Sequence, residues 1–341
     1  MWWIHMRKLL RLFSSTKSRT TRTKRKKEKR RKFKALDFSV TILGSNSAAP
    51  AHDRNQTSQL VSIGKSAVLV DCGEGTQVQF KKYGIKTAKL DYILISHLHG
   101  DHYLGLMGVI STFHLNKRTR PLTIFGPKGL DEIITVQLRY GNLRLNYPLI
   151  FHQTDASNKS LLIDEKTFEV YSFPTKHRIT CTGFYFKEKP KPRKLVKEEL
   201  LKYNLNLEAI NTLKGGKDFK DPDTQEIIYS LDQFTYPPLP QRTYAYSADT
   251  IYDRELVKYF EGANLLYHES TFMENEAARA KETFHSTASQ AASIAKEAGV
   301  RKLLLGHYSI RYKELEAMLL EAQEIFPDTE LSIEGQTFIV E

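Results

Sequence analysis

The stretch Ser96-His97-Leu98-His99-Gly100-Asp101-His102 constrains this chain more than any other part of it. Neither a strand nor one stripe of a helix presents all three imidazoles and the carboxylate to the same side, so the spacing predicts a tight loop. Before it, Leu90-Asp91-Tyr92-Ile93-Leu94-Ile95 reads as a short buried strand, a run of apolar and β-favouring residues bounded by polar ones. After it, Leu104, Met107, Val109, Ile110, Phe113 and Leu115 predict a helix from Tyr103 to Asn116. A strand-to-helix loop that gathers nitrogen and oxygen ligands is a metal site in an α/β fold, suited to zinc or another first-row ion. A polar loop that is merely rich in histidine is the bland alternative, and four ligands in six positions argue against it.

Further ligands of the right type follow three predicted strands. Phe168 to Phe173 alternates as a half-buried strand does and runs into Pro174-Thr175-Lys176-His177-Arg178. Arg242 to Tyr246 leads to Ser247-Ala248-Asp249-Thr250, and Lys302 to Leu305 leads to Gly306-His307-Tyr308-Ser309. One such residue after one strand is ordinarily a cap or turn. Three of them, in this order, extend the site to His177, Asp249 and His307.

The cluster resembles the H-x-H-x-D-H signature of the metallo-β-lactamase superfamily. Other segments are similar to one branch of it, ribonuclease Z. They are Leu43-Gly44-Ser45-Asn46-Ser47-Ala48-Ala49-Pro50, then Arg54-Asn55-Gln56-Thr57-Ser58, then Asp71-Cys72-Gly73-Glu74-Gly75-Thr76. Pro174 to His177, His268-Glu269-Ser270-Thr271, His285-Ser286-Thr287 and Gly306-His307 complete the set, and the likeness spans roughly residues 36–340. It implies an α/β fold, the αβ/βα sandwich, with two mixed sheets face to face, helices outside and a protruding arm. It also implies two Zn2+ per subunit, with Mn2+ as the alternative. His97, His99 and His177 would hold one ion, Asp101, His102 and His307 the other, and Asp249 would bridge them. An anionic bridge is what two cations about 3.5–4 Å apart need. Asp101 then has a second task, accepting the proton of the attacking water. His285, outside the ligand count, would protonate the leaving 3′ oxygen, with Glu269 fixing its tautomer. The alternative for His285 is a helix N-terminal residue beside a Ser286 cap, since Ala288 to Lys296 is a good helix start.

The reaction implied is hydrolysis of precursor tRNA after the discriminator base, leaving a tRNA 3′ hydroxyl and a 5′ phosphate on the trailer. A phosphodiesterase for small phosphodiesters and a non-catalytic RNA-binding protein are the competing functions. The interval from His177 to Asp249 is far longer than a strand connection needs. It carries Lys187, Lys189, Lys191, Arg193, Lys194 and Lys197, then a helix-like run from Val196 to Leu207. The resemblance makes residues 187–225 or so a tRNA-gripping arm, in which Lys191, Arg193 and Lys194 neutralise phosphates; a solvated insertion is the plain reading. Its expected tip, Asn211-Thr212-Leu213-Lys214-Gly215-Gly216, lacks the family's proline. Arg54 and Asn55 are further candidates for substrate contact, while Ser45 to Ala48 suits a structural turn equally well.

Charge separates the chain into two parts. Of 51 Lys and Arg, fifteen fall in the first 34 residues together with one acidic residue, Glu28, so the net charge of +12 belongs to that tail and the rest is nearly balanced. Residues 1–35 read as a disordered basic tail ahead of a catalytic domain at 36–341. The tail is an RNA-binding arm, an organelle-targeting segment or an extension from an early start codon. Leu9 to Phe13 is too short and too charged for a membrane span. With two cysteines there is no disulfide framework, and a cytoplasmic protein, a homodimer by resemblance, is expected.

Overall fold

Sixteen short strands carry the architecture of the computed structural model, which describes residues 38–341. The basic tail expected at 1–35 lies outside the described residues. In chain order the first strands are β1 (Phe38–Gly44), β2 (Ser58–Ile63), β3 (Ser66–Cys72), β4 (Leu90–Leu94), β5 (Leu122–Gly126) and β6 (Leu149–Gln153). There follow β7 (Ser160–Asp164), β8 (Phe168–Thr175), β9 (Cys181–Glu188), β10 (Phe219–Lys220), β11 (Ile227–Tyr229) and β12 (Thr243–Tyr246). The last are β13 (Leu265–Glu269), β14 (Leu303–Gly306), β15 (Thr329–Leu331) and β16 (Thr337–Ile339).

Two seven-stranded sheets result, ordered β16-β1-β2-β3-β4-β5-β6 and β15-β14-β13-β12-β9-β8-β7. Each is antiparallel on one side and parallel on the other: β3 to β6 run parallel in the first, β12 to β15 in the second. The final strand crosses back to pair antiparallel with β1, Val40 opposite Phe338, and so closes the second half of the chain onto the first.

Every strand near the centre is buried on both faces, which explains their nearly unbroken apolar sequences. Alternation still sorts the side chains. Leu304 points between the sheets with Val40, Ile42, Val68, Val70, Phe184 and Phe186. Its neighbours Leu303 and Leu305 point outward, beneath the helix Ala288–Glu297, which contributes Ala291, Ala292 and Ala295. On the other side Leu69, Ile93 and Ile124 support the helices Leu106–Leu115 and Leu130–Tyr140 through Val109, Ile110 and Ile134.

The helix expected over 103–116 is two pieces, Gly100–Tyr103 and Leu106–Leu115. Gly105 lies at the break, where its N–H donates to the Cys72 carbonyl at 2.9 Å. A Cβ on Gly105 would sit 2.0 Å from the Gly73 carbonyl oxygen, so only glycine lets the chain turn there.

The segment between β9 and β12 is a subdomain of its own, and it is longer than the 187–225 expected. Its helices are Lys197–Tyr203, Leu207–Lys214 and Leu231–Phe234, with a β10–β11 hairpin between the second and third. The two stems pair with each other: Val196 N–H donates to Phe234 O at 2.9 Å, and Tyr236 N–H to Lys194 O at 2.8 Å. Tyr203, Phe219, Tyr229 and Phe234 pack ring on ring as a small core. The expected tip, Asn211 to Gly216, is the C-terminal end of the second helix, with Gly216 left-handed at φ +85°. Among the described residues no helix is long and apolar enough to cross a membrane.

Candidate metal centre

Loops leaving the carboxyl ends of parallel strands collect along one edge of an α/β sheet, and here two such edges face each other. From the first sheet, Ile95 to His102 follow β4 and Asp71 ends β3. From the second, Asp249 follows β12, Glu269 ends β13, His307 follows β14 and His177 follows β8. The backbone is strained where it turns toward the site. Ala48, Asp71, Ala248, Phe284 and His307 are all left-handed, with φ between 53° and 59°. Such residues cost on the order of 1–3 kcal/mol each and persist only where the surroundings hold them.

All seven expected ligands are brought together. His97, His99, His177 and Asp249 form one group, Asp101, His102 and His307 another, with ligand atoms inside each group within 4.8 Å of one another. Asp249 lies between the groups: Oδ2 is 3.6 Å from His97 Nε2, 3.9 Å from His177 Nε2 and 3.4 Å from His102 Nε2, and Oδ1 is 3.3 Å from His307 Nε2.

The donor set tests whether cations belong here. The outward ring nitrogens are committed to acceptors. His102 Nδ1 donates to Asp71 Oδ2 at 2.8 Å and His177 Nδ1 to the Phe284 carbonyl at 2.9 Å. His307 Nδ1 meets Thr271 Oγ1 at 2.9 Å, an oxygen whose own proton goes to Glu269. His97 Nδ1 meets Ser96 Oγ at 3.0 Å, whose proton goes to Asp71. Bare nitrogens are therefore aimed inward at each other. His99 Nδ1 is 3.0 Å from His97 Nε2 and 3.1 Å from His177 Nε2, and His102 Nε2 is 3.3 Å from His307 Nε2. Lone pairs converging on lone pairs, with every ring except His99 fixed by an outer hydrogen bond, are how a protein prepares imidazoles for a metal. The residues fit the group, and the cluster is a metal-binding site.

Electrostatics distinguish the two groups. Burial, reinforced by neighbouring imidazoles, holds His97, His99 and His177 below the ordinary histidine range and hence neutral. Burial opposes charge on His102 as well, but Asp249, Asp101 and Asp71 outweigh it and raise that group. Burial likewise works against the carboxylates, yet the facing histidines keep Asp101 and Asp249 far below the usual carboxylate range. Ala48 N–H also donates to Asp101 Oδ2, at 2.7 Å. The buried Cys181 thiol lies 3.6 Å from His97 Nδ1, on that ring's outer side. The thiol is directed to the Asp249 carbonyl, also at 3.6 Å, and it is not among the clustered ligand atoms.

His285 and Glu269 stand beside the cluster. The ring of His285 lies 5.1 Å from that of His177 and 5.3 Å from that of His307. Its Nδ1 donates to Glu269 Oε1 at 2.8 Å. Burial disfavours the imidazolium, but the Glu269 carboxylate more than compensates and lifts it to about 9. The helix cap expected at Ser286 is instead Thr287, which forms a capping box with Gln290, while Ser286 Oγ donates to Thr250 O at 2.8 Å.

The expected substrate contacts are differently placed. Arg54 is turned into the protein, its Nε on Asn46 Oδ1 at 2.8 Å and its guanidinium on the Tyr312 and Lys313 carbonyls. Asn55 gives both its N–H and its Nδ2 to Glu334. These two residues fasten the 45–58 loop to the C-terminal segment. In the inserted subdomain, Lys191 pairs with Glu188 at 2.9 Å, Arg193 Nε donates to Thr235 Oγ1 at 2.7 Å, and Lys194 is exposed.

Asp71, Thr271 and Tyr246 stand behind the histidines, a placement that nothing local in the sequence marks. Tyr246 OH donates to Asp71 Oδ2 at 2.5 Å, so a side chain of the second sheet steadies the carboxylate that orients His102. At Asp71 the sequence shows only an acidic residue ending the apolar run Ala67–Val70.

A family model described as anti-Pycsar protein Apyc1 matches residues 38–189. A ribonuclease Z of Bacteroides fragilis is 44% identical over 298 residues, 87% of this chain and 97% of that protein. The crystal structure of human tRNase Z, short form, superposes with a TM-score of 0.65 at 25% identity, covering 89% of this chain and 99% of the human one. The metallo-β-lactamase fold protein YhfI of Bacillus subtilis has a TM-score of 0.61 at 20% identity, covering 88% and 98%, and shares the fold.

Proposed function

The chain belongs to the ribonuclease Z family, and from that premise we propose how its residues divide the work. It is a metal-dependent hydrolase, an endoribonuclease that processes the 3′ end of tRNA. We assign the finer points as follows: two Zn2+ ions, one on His97, His99 and His177 and one on Asp101, His102 and His307, with Asp249 between them. Bound there, such ions supply Lewis acidity, bringing the pKa of water towards about 7 and offsetting phosphate charge.

The remaining steps belong to side chains. Asp101, kept ionised by His102 and His307, accepts a hydrogen bond from the attacking water and takes its proton as the new P–O bond forms. The P–O3′ bond breaks on the opposite side of phosphorus. His285, charged at neutral pH and held by Glu269 through Nδ1, has Nε2 free to give a proton to the departing 3′ oxygen. The products are a tRNA ending in a 3′ hydroxyl at the discriminator nucleotide and a trailer with a 5′ phosphate.

The inserted subdomain, 189–242, is assigned as the arm that grips the body of tRNA, with Lys191, Arg193 and Lys194 near its base. A homodimer in the cytoplasm, where the two buried free thiols stay reduced, completes the reading. One observation carries it: inward-facing lone pairs on five histidines around Asp249, with a charged His285–Glu269 pair alongside. The test is to incubate the protein with a precursor tRNA and map the cut, with and without chelator. A single metal-dependent cut leaving a 3′ hydroxyl is expected. A 2′,3′-cyclic phosphate, or cleavage indifferent to chelator, would contradict it.

A further inference from the structure

The helix Ala277–Thr283 ends in a tight double turn: His285 N–H donates to Ala280 O at 2.8 Å and Phe284 N–H to Lys281 O at 3.3 Å. The residue that closes such a turn is left-handed and is ordinarily glycine, which pays nothing for that conformation. Here it is Phe284, at φ 59°, and the residue is 39% exposed. A large aromatic residue is thus kept at a strained position while only partly buried, so backbone preference does not explain it and burial does so only in part.

Its surroundings do. Phe284 lines an open groove of about 1320 Å3 together with Lys176, Arg178, Thr180 and Ser157, while the next residue, His285, lines a cleft of about 340 Å3 with Asp101, Asp249 and His307; the His177 side chain, 1% exposed, is buried between them. The Phe284 carbonyl receives His177 Nδ1, and the next residue in the chain is the proton donor, His285. The cations are available. Lys176 is 62% exposed, although its ammonium pairs with the largely buried Asp253 at 3.0 Å, and the Arg178 guanidinium has only Glu282 O, at 3.5 Å, as a hydrogen-bond acceptor among the described residues. The one acidic residue of the groove, Asp155, turns its carboxylate onto Ser157 N–H at 2.7 Å.

We propose that Phe284 is a stacking platform for the base of the nucleotide whose 3′ oxygen His285 protonates, with Lys176 and Arg178 meeting the adjoining phosphates. An aromatic face next to a cationic track is how single-stranded nucleotides are held without regard to sequence, since every base offers a π face. The platform rests on the tRNA-cleaving reading above and adds a subsite to it. It seats the discriminator base and thereby sets which phosphate reaches the metal centre.

The experiment uses the metal-loaded protein and a tRNA ending at the discriminator position, with 2-aminopurine there as a fluorescent base. Wild-type protein should quench the fluorophore on binding, as stacking does. Phe284→Leu keeps an apolar side chain on the same backbone but removes the π face; it should abolish the quench and raise KM for precursor tRNA about tenfold. Phe284→Trp should keep both the quench and the wild-type KM. Equal KM for the Leu and Phe proteins, or no quench by a wild-type protein that does cut precursor tRNA, overturns the platform. Failure of the wild-type protein to cut precursor tRNA at all would instead overturn the reading it rests on. Thermal melting of both variants shows that they are folded, and a misfolded Leu variant is replaced by Phe284→Met, with the same expectation.

Discussion

The two ligand groups that share Asp249 are held in different ways. His102 and His307 are fully or almost fully buried, and their outer nitrogens are bound by side chains, Asp71 and Thr271, which are buried themselves. In the other group His97 is as buried, with its outer nitrogen on Ser96, but His99 is half-buried and His177 hangs from a backbone carbonyl on the exposed Phe284 turn. A carboxylate behind an imidazole raises its basicity and locks its orientation, whereas a surface carbonyl yields with its loop. The buried group should therefore be the tighter and slower-exchanging half of the centre, and the rim group the half that responds to substrate.

The largest effect is expected at the residue common to both. Asp249→Ala should empty both halves and reduce cleavage to background, read as metal content after dialysis. A variant that kept two ions and full activity would remove the bridge. Next comes His285→Ala, which belongs to neither half: kcat should fall by roughly 10²–10⁴ while metal content stays the same. Its charge also sets a pH limit. The Glu269 carboxylate raises His285 to about 9, so the acid form is present below that value and lost above it. Cations bound nearby oppose that charge, so kcat should fall as pH rises through a value at or below about 9, a limb absent from His285→Ala.

Asp71→Asn sharpens the comparison, because it weakens the acceptor directly behind His102 and reaches the other group only indirectly, through Ser96 and His97. Affinity at the His102 site should drop by about 10–100-fold and at the other by less. Tyr246→Phe acts one step further out and should cost about 2 kcal/mol of stability, the scale of a hydrogen bond to a charged group, with a smaller loss at the same site. Smallest for the centre itself is replacing residues 193–236 with a short linker. Both metal affinities should be unchanged while binding of tRNA weakens, and equal loss of metal would show that the inserted subdomain supports the centre.

How much of this was readable in the sequence depends on how far each partner lies along the chain. His97 to His102 are legible because one loop presents them, and His177, Asp249 and His307 because each directly follows a recognisable strand. The role of Asp71 was not, since its partner His102 is 31 residues on and nothing local marks the contact. Arg54 and Asn55 looked available for substrate because the groups that take their donors, Tyr312, Lys313 and Glu334, are over 250 residues away. The break at Gly105 has the same origin, a carbonyl on another loop. Ser286 and Thr287 are both good caps, and only the Thr250 carbonyl, which claims the serine, decides between them. The insertion looked shorter than it is because its return, through Tyr236-Pro237-Pro238-Leu239-Pro240, reads as ordinary linker.

The most direct measurement of the account is a titration of metal-stripped protein with Zn2+, following bound metal and precursor-tRNA cleavage in the same samples. Two unequal binding events are predicted, with cleavage appearing only as the second, weaker one fills. Full cleavage after a single equivalent, or one binding event whose loss follows from changing His99 or His177 alone, would contradict it.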